Sequence, residues 1–320
     1  MKKITLFISV LFIAAASFAQ PEAIVADTTK PVKHWTKGIT SNLNFGQSSF
    51  SNWAAGGENS LNIAAFLSLY SNYKKGKVTW DNSLDMAYGF LQSGTAKMRK
   101  NEDKIDFSSK FGYAAIDDHW FYTALVNFKS QFANGYAYPN DSVPVSRFMA
   151  PGYLLGAIGM DFKTKDNSVS CFISPLTSKT TFVNDQNLAN QGAYGVTAAK
   201  YDTVNGVYGI TKYGEKVLNQ FGGYIKFALK KDLFHNITFT TKLELFSNYL
   251  KDPQNIVVNW DNILALKINK YLVTTVTTNM IYDNNVPVPV QRLENGVWVN
   301  GTGPRLQFKE VLALGLSYKF

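Results

Sequence analysis

Val78-Thr-Trp-Asp-Asn-Ser-Leu-Asp-Met-Ala-Tyr-Gly-Phe90 alternates in polarity along its length. Its even-numbered positions are mostly apolar, whereas its odd-numbered positions carry Thr, Asp, Ser, Ala and Gly. Successive side chains of a β-strand point to opposite faces, so a period of two separates the two faces. The stretch therefore predicts a strand with one apolar face and one polar face.

The same alternation recurs along the chain and predicts about twelve strands. Their expected spans are 35–46, 60–73, 77–91, 104–115, 119–133, 152–164, 168–182, 217–230, 235–250, 256–269, 271–283 and 306–320. The links alternate between short turns (such as 74–76, 231–234 and residue 270) and longer segments (92–103, 134–151, 183–216 and 284–305), although the 251–255 link is short for the second kind. Outer-membrane barrels join an even number of antiparallel strands by short periplasmic turns and long outer loops. The pattern predicts an all-β protein, a single antiparallel transmembrane β-barrel with both termini in the periplasm.

Aromatic residues mark the two ends of the predicted apolar band. Trp35, Trp80 and Trp120 fall on the apolar faces near the periplasmic ends of their strands, together with Tyr318 and Phe320, and Trp260 falls near the opposite end. Amphipathic rings prefer the membrane interface. The aromatic positions favour a bilayer over a two-sheet sandwich, whose core would bury such rings in the middle of its strands.

The N-terminal residues predict export. Lys2 and Lys3 precede an apolar stretch that ends at Ser17-Phe18-Ala19, which is typical of a signal peptide cleaved near Ala19. We therefore expect a signal peptide at 1–19, a periplasmic tail at 20–34 and a barrel at 35–320, located in the outer membrane of a Gram-negative bacterium. The net charge of +9 comes from dispersed lysines and arginines without a nucleic-acid-binding motif, so nucleic acid is not an expected partner.

The last strand, Leu312-Ala-Leu314-Gly-Leu316-Ser-Tyr318-Lys-Phe320, alternates in polarity and ends on Phe. It resembles the C-terminal signature that the barrel-assembly machinery recognises, which implies that machinery and periplasmic chaperones as partners in biogenesis. Outer-membrane lipid is a further expected partner. The basic segment Lys97-Met-Arg99-Lys100 is either a contact for lipopolysaccharide phosphates or a solvated loop.

Several segments resemble an uncharacterised Bacteroidota outer-membrane β-barrel family, known only as a domain of unknown function. The resembling segments are Ser51-Asn-Trp-Ala-Ala-Gly-Gly-Glu-Asn59, Ile173-Ser-Pro-Leu-Thr-Ser-Lys-Thr180, Leu245-Phe-Ser-Asn-Tyr-Leu250, Lys267-Ile-Asn-Lys-Tyr-Leu272, Ile281-Tyr-Asp283 and 304–320. They span the expected mature chain. The resemblance implies a barrel and carries no catalytic or binding residues with it.

Motifs for catalysis or metal binding are not expected to carry the function. Acyl transfer needs a base such as His near a nucleophilic hydroxyl. His34, His119 and His235 all fall at the predicted periplasmic end, without an accompanying Ser or Asp motif or zinc-ligand spacing. Asp283-Asn284-Asn285 offers oxygens for calcium but equally favours a turn. We expect no enzyme activity, no metal and no cofactor.

Two groups of residues are candidates for function. On parity, the residues that line the lumen are Asp81, Asp85, Lys110, Lys129, Lys226, Lys242, Glu244, Asp261, Lys267 and Lys309. These charges form either a pore lining that biases ion passage or salt bridges that fill the interior. In an outer loop, Trp53, Gly56, Gly57 and Glu58 form either a plug or ligand platform, or an ordinary turn. The leading prediction is a passive channel or transporter for small solutes. The alternatives are a structural or adhesive barrel with an occluded lumen and, third, an outer-membrane hydrolase.

Overall fold

A computed structural model describes residues 33–49, 58–204, 207–294 and 296–319. The described chain is predominantly β-structure, with one short helix, α1 (Gln186–Asn190). Its strands are β1 (Trp35–Ser48), β2 (Ser60–Lys75), β3 (Val78–Ser93), β4 (Arg99–Ala114), β5 (Trp120–Ser130), β6 (Gly135–Tyr136), β7 (Pro144–Ser146), β8 (Gly152–Lys163), β9 (Val169–Phe182), β10 (Lys200–Val204), β11 (Val207–Lys212), β12 (Val217–Phe234), β13 (Ile237–Asn248), β14 (Val257–Lys267), β15 (Leu272–Tyr282), β16 (Val288–Glu294), β17 (Val297–Gly303) and β18 (Gln307–Lys319). The expected signal peptide, Trp53, Gly56, Gly57 and Phe320 lie outside the described residues.

Twelve of these strands form one closed antiparallel barrel. The order around the barrel is β1-β18-β15-β14-β13-β12-β9-β8-β5-β4-β3-β2. Closure joins the first strand to the last in the register Thr40↔Lys319 to Asn44↔Gly315. The prediction of a single antiparallel barrel of about twelve strands is confirmed. The pairs β6–β7, β10–β11 and β16–β17 are small separate hairpins in the longer links.

Link lengths differ between the two rims. We call the end with the short links 76–77, 115–119, 164–168, 235–236 and 268–271 the short-turn rim, and the opposite end the long-loop rim. Two predicted boundaries were wrong. Strand β4 begins at Arg99 rather than at 104, because its first residues continue the ladder to β3 through a bulge at Gly89/Phe90. Residues 231–234, which were predicted as a turn, are the end of strand β12. They are extended because the pairing with β13 continues to Phe234 and Ile237, and because the Thr238 hydroxyl donates a hydrogen bond to Asp232 (2.6 Å).

The outer surface of the barrel is rich in exposed apolar side chains. They recur at every second position of the barrel strands and include Leu43, Phe45, Phe107, Phe111, Tyr122, Val126, Ile158, Ile173, Leu176, Phe221, Ile225, Leu312, Leu314 and Leu316. Proteins surrounded by water rarely expose contiguous apolar surface on this scale. An apolar band outside and polar residues inside are the arrangement that lipid imposes on a barrel. Among the described residues, no helix is long and apolar enough to cross a membrane.

A β-bulge in β9 changes which of its residues face inward. Ile158 pairs with Leu176 while Met160 pairs with Ile173, so β9 holds one more residue than β8 between these pairs. Pro175 lies in this bulge, where the ladder does not need its missing N–H. The buried Ser174 hydroxyl donates to the carbonyl oxygen of Ile158 (2.8 Å). The bulge accommodates a proline within a barrel strand and turns odd-numbered residues beyond it toward the lumen.

The link between β9 and β12 is folded rather than extended. Asp185 caps α1 by accepting a hydrogen bond from the Leu188 N–H (3.0 Å), and it forms an ion pair with Arg147 (2.8 Å). Val183 and Ala189 are fully buried beside this helix. The link is therefore a packed cap at the long-loop rim, and one of its residues, Tyr194, also lines a cavity in the lumen.

Candidate functional site

Most of the predicted lumen residues have a polar or charged partner inside the barrel. An ion pair or a side-chain hydrogen bond to another strand involves Asp81, Asp85, Lys110, Lys129, Lys226, Lys242, Glu244, Asp261 and Lys309. Lys267 differs, because it is exposed at the short-turn end of β14. These contacts divide the nine residues into several groups rather than one network.

Six charged residues meet across the middle of the lumen, and we call them the central charge layer: Lys104, Asp106, Lys129, Lys226, Lys242 and Glu244. Glu244 receives three lysines, with Nζ–Oε distances of 2.6 Å from Lys129, 3.1 Å from Lys242 and 3.7 Å from Lys226. Asp106 receives Lys104 at 3.4 Å and Lys242 at 3.6 Å. Four ammonium groups therefore surround two carboxylates, which leaves an excess of two positive charges.

The two carboxylates of this layer are among the most buried groups in the protein. Asp106 and Glu244 are 3% and 5% exposed. Burying a charge is costly unless opposite charges and hydrogen bonds surround it. Several lysines do this, and Asn127 adds a hydrogen bond to Asp106 (2.7 Å). Each of the four lysines contacts one or both of these carboxylates, so the two carboxylates are shared among four ammonium groups.

A second group of charges lies nearer the short-turn rim and is balanced. Lys110 contacts Asp161 at 2.6 Å, and Lys163 contacts Asp81 at 2.5 Å and Asp161 at 3.7 Å. Asp161 is fully buried. Two lysines and two aspartates offset each other here. On the opposite wall, Asp85 and Asp261 accept hydrogen bonds from Ser68 (2.5 Å) and Asn279 (2.8 Å), so the positive excess of the central charge layer is local to that layer.

The ion pairs of the layer reach across the barrel rather than along neighbouring strands. Lys129 on β5 and Glu244 on β13 have three strands between them, and Asp106 on β4 and Lys242 on β13 have four. An apolar cluster packs beside them on the same wall: Leu125, Leu155, Ala157, Phe172, Tyr224, Phe246 and Val257. These side chains fill the part of the lumen next to β4, β5, β8, β9, β12 and β13.

Residues that the structure describes line three cavities inside the barrel. The long-loop cavity, of about 350 Å³, is lined by residues that include Lys129, Lys179, Tyr194 and Glu244. The short-turn cavity, of about 800 Å³, is lined by residues that include Asp81, Lys110, Lys163 and Lys226. The side cavity, of about 360 Å³, runs along the opposite wall. Its lining combines short polar side chains such as Thr40, Asn42 and Thr275 with apolar side chains, with Lys104 and with the carboxylates of Asp85, Glu102 and Asp261. Residues of the central charge layer border all three cavities.

The predicted loop sites make local contacts. Glu58 accepts a hydrogen bond from Ser93 (3.1 Å) in an exposed turn. In the basic loop, Lys97 pairs with Asp141 (3.2 Å), whereas Arg99 lies over the Tyr138 ring at 4.5 Å.

The Asp283-Asn284-Asn285 segment forms a turn, because the Asp283 carboxylate accepts the Asn285 N–H (2.8 Å). Within the described ranges, no group of three His, Cys, Asp or Glu residues is placed to hold a metal ion.

The interfacial aromatic residues cluster at the rims. Trp35 and Trp80 lie with ring centroids 6.0 Å apart at the short-turn rim, and each is about two-fifths exposed (41%). Trp120 packs edge-on against Phe162 at 5.2 Å. Trp260 at the other end and Tyr318 are exposed as well.

The three histidines belong to the short-turn rim. Nδ1 of His34 lies 3.3 Å from the Lys74 carbonyl oxygen, and Nδ1 of His119 lies 3.6 Å from Asp117. His235 lies in the turn between β12 and β13.

Sequence reasoning missed several charged residues of the lumen. Lys104 and Asp106 share the parity of Lys110 on β4, so period-two alternation was sufficient to find them. Asp161 likewise shares parity with Lys163 at the end of β8. Lys179 gave no such signal, because the bulge at Pro175 reverses the parity of β9 before it.

The fold and the site together define a transmembrane β-barrel with a charged, subdivided lumen. Residues 45–136 match a family described as "Protein of unknown function (DUF3078)". The predicted resemblance to a family of unknown function is confirmed over these residues. No curated protein matches the sequence.

Among solved structures, the chain is similar to an outer membrane channel from Pseudomonas putida F1, at 10% identity and a TM-score of 0.39, covering 93% of this chain and 100% of that one. It is also similar to the translocator domain of the autotransporter NalP from Neisseria meningitidis, at 9% identity and a TM-score of 0.35, covering 91% of this chain and 90% of that one. A third similar structure is the beta domain of the Bordetella autotransporter BrkA, at 8% identity and a TM-score of 0.31, covering 90% and 99%.

Proposed function

We propose that this protein is an outer-membrane channel of low conductance that admits small anionic solutes. In this proposal the short-turn rim faces the periplasm and the long-loop rim faces the outside, the orientation that barrels with unequal links adopt. The observation that carries the proposal is the excess of two positive charges in the central charge layer. Rings of charged side chains in a pore favour ions of the opposite sign.

The packing of the lumen supports a narrow path rather than a wide pore. Side chains from β4, β5, β8, β9, β12 and β13 fill one side, and the cavities that remain measure about 350, 800 and 360 Å³. The side cavity is our candidate for the path, because short Thr, Asn and Ser side chains form part of its lining. Of the carboxylates that also line it, Glu102 is paired with Lys309, whereas Asp85 and Asp261 accept hydrogen bonds from Ser68 and Asn279. A solute on this path passes Lys104, which belongs to the central charge layer and also lines the side cavity.

A barrel with a permanently occluded lumen is the second candidate, because ion pairs such as Lys129–Glu244 (2.6 Å) cross the lumen and brace it. Single-channel recording of the purified, heat-modifiable barrel in planar bilayers separates the two. The channel proposal expects discrete openings in potassium chloride, small in amplitude, and a reversal potential in a salt gradient that favours chloride. A folded barrel that never conducts would refute the channel and support the occluded barrel, and cation preference would refute the role of the charge layer.

A further inference from the structure

We propose that the long-loop cavity binds a small amphipathic carboxylate, whose anionic end is held by Lys179 and whose apolar end lies among aromatic side chains. This inference names a ligand class for the lumen that we propose as a channel. Binding and conduction are measured independently, so either proposal can fail alone.

Lys179 is a buried cation with unused hydrogen-bonding capacity. Its side chain is 12% exposed, and its nearest carboxylate is that of Asp283 at 3.7 Å, beyond hydrogen-bond distance. An ammonium group has three donors. Asp283 is the ion-pair partner of this ammonium group, and at 3.7 Å it leaves room for a shorter contact with a ligand oxygen. Lys129, in the same cavity, differs because it lies 2.6 Å from Glu244.

The partner of Lys179 is itself engaged elsewhere. The Asp283 carboxylate accepts hydrogen bonds from the backbone N–H of Asn285 (2.8 Å) and from its side-chain amide (3.2 Å). These bonds hold Asp283 in a turn at the end of β15. A ligand carboxylate that approaches Lys179 from the cavity therefore finds free donors without displacing a tight ion pair.

Aromatic rings surround the Lys179 ammonium and extend into the cavity. The Nζ atom lies 5.7 Å from the centroid of the Tyr153 ring and 5.2 Å from that of Phe246. Within the described residues, the Tyr153 hydroxyl has no hydrogen-bond partner, so it offers a second donor beside the ammonium. An apolar wall next to a few polar donors is the usual composition of a small-molecule site.

Charge and volume restrict the ligand further. The other carboxylates that line the cavity already have cations: Glu244 has the lysines of the central charge layer, and Asp103 has Lys100 at 2.6 Å. Asp283 already balances part of the charge of Lys179, so a single carboxylate suits this site better than a dianion. The volume of about 350 Å³ lies at the small end of ligand pockets, about 300–1,000 Å³. One aromatic ring with a short carboxylate arm suits this space.

Tyr194 closes part of the cavity on the loop side. It lines the cavity, and its hydroxyl donates to the Val145 carbonyl oxygen (2.7 Å), which ties the β9–β12 link to the β6–β7 hairpin region. Gly195 has a φ of 86° and lies against Asn285, where a Cβ atom would collide with that side chain. The cap thus contacts the turn that contains Asp283. The wall around Lys179 therefore includes residues of the β9–β12 link and of the β15–β16 link.

The test is calorimetric titration of the whole purified barrel in detergent with three probes. 4-Phenylbutyrate carries both features, 4-phenylbutanamide lacks the charge, and acetate lacks the ring. We expect 4-phenylbutyrate to bind at least about tenfold more tightly than either of the others, because a hydrogen bond to a charged group contributes about 1.5–3 kcal/mol. Equal binding of the acid and the amide, or no binding of 4-phenylbutyrate, would overturn the proposal.

Variants locate the site. Lys179→Met should weaken 4-phenylbutyrate binding by about tenfold or more. Lys179→Arg should keep the preference for the acid over the amide. Lys97→Met, in an exposed loop, is the control and should bind 4-phenylbutyrate as the parent does. Heat-modifiable migration confirms that each barrel has folded. If Lys179→Met fails to fold, loss of acid preference in Lys179→Arg overturns the proposal. Binding by a barrel that never conducts supports this site and refutes the channel, whereas conduction without binding does the reverse.

Discussion

Lys226→Met tests the link between the central charge layer and ion selectivity. Lys226 contributes one of the four lysines, and its contact with Glu244 is the longest of the three, at 3.7 Å. Glu244 keeps Lys129 at 2.6 Å and Lys242 at 3.1 Å when Lys226 is removed. Methionine has a similar length and no charge. The substitution therefore lowers the excess charge of the layer from two to one without leaving a carboxylate unpaired.

The expected size of the effect follows from Coulomb's law. An ion about 6 Å from the ammonium group in a water-filled lumen interacts with it by about 0.7 kcal/mol, and screening at about 0.1 M salt reduces this to about 0.4 kcal/mol. Removing the charge raises the barrier for an anion and lowers that for a cation by the same amount. The anion-to-cation permeability ratio should then fall by about 0.8 kcal/mol, or roughly fourfold.

The assay is the reversal potential of single channels in a potassium chloride gradient, for the parent and matched variants. Lys267→Met is the control, because it removes the same charge from an exposed position at the short-turn end of β14. Glu244→Gln should shift the ratio in the opposite direction, since it raises the excess charge to three. If Lys226→Met and Lys267→Met give the same reversal potential, the layer does not set selectivity and the reasoning is refuted.

Two further predictions concern the fold and the cap. Gly159→Ala should lower the free energy of unfolding by about 1–3 kcal/mol, because its Cβ atom would collide with the backbone of Ile173. Gly156→Ala on the same strand is the control and should unfold at the parent's urea midpoint, because no atom lies within 4 Å of its Cβ position. Equal urea midpoints for the two variants would contradict this prediction. Burial raises the pKa of the Tyr194 phenol to about 12 from 10.0, so the stabilisation from keeping this phenol neutral is present below about pH 10 and is lost between about pH 10 and 12. The ultraviolet titration difference between the parent and Tyr194→Phe should show a phenol ionising near pH 12, and ionisation near pH 10 would contradict the burial.

The outward face of the barrel was predictable because lipid constrains every second residue. All twelve predicted strands correspond to barrel strands. The errors in strand boundaries fell where charged residues continue a ladder beyond the apolar band. At Arg99-Lys100-Asn101-Glu102 a charged run has the composition of a loop, yet it pairs with β3. Composition alone does not distinguish a solvated strand end from a loop, since both are polar.

The candidate ligand site was not predictable from alternation. A single extra residue in β9 reverses the parity beyond Pro175, so Lys179 lies inside although its number suggests the outward face. Proline in a barrel strand was the available signal, because a residue without an N–H is tolerated at a bulge. A bulge at Pro175 implies that residues 177–182 have reversed parity. This inference would have added Lys179 to the predicted lumen residues.

Partner choice across the lumen depends on geometry that sequence patterns do not contain. Lys129 and Glu244 are 115 residues apart, and their contact at 2.6 Å requires the closure, tilt and stagger of the strands between them. The distribution of side-chain size around the wall is different, because parity alone reveals it. Inward positions on β1 and β15 are small (Thr40, Asn42, Thr275), whereas those on β12 and β13 include Tyr, Lys, Glu and Phe. Large side chains on one wall and short polar side chains on the other predict a lumen that is filled on one side and open along the other. The charges that select solutes must then lie where the two walls meet.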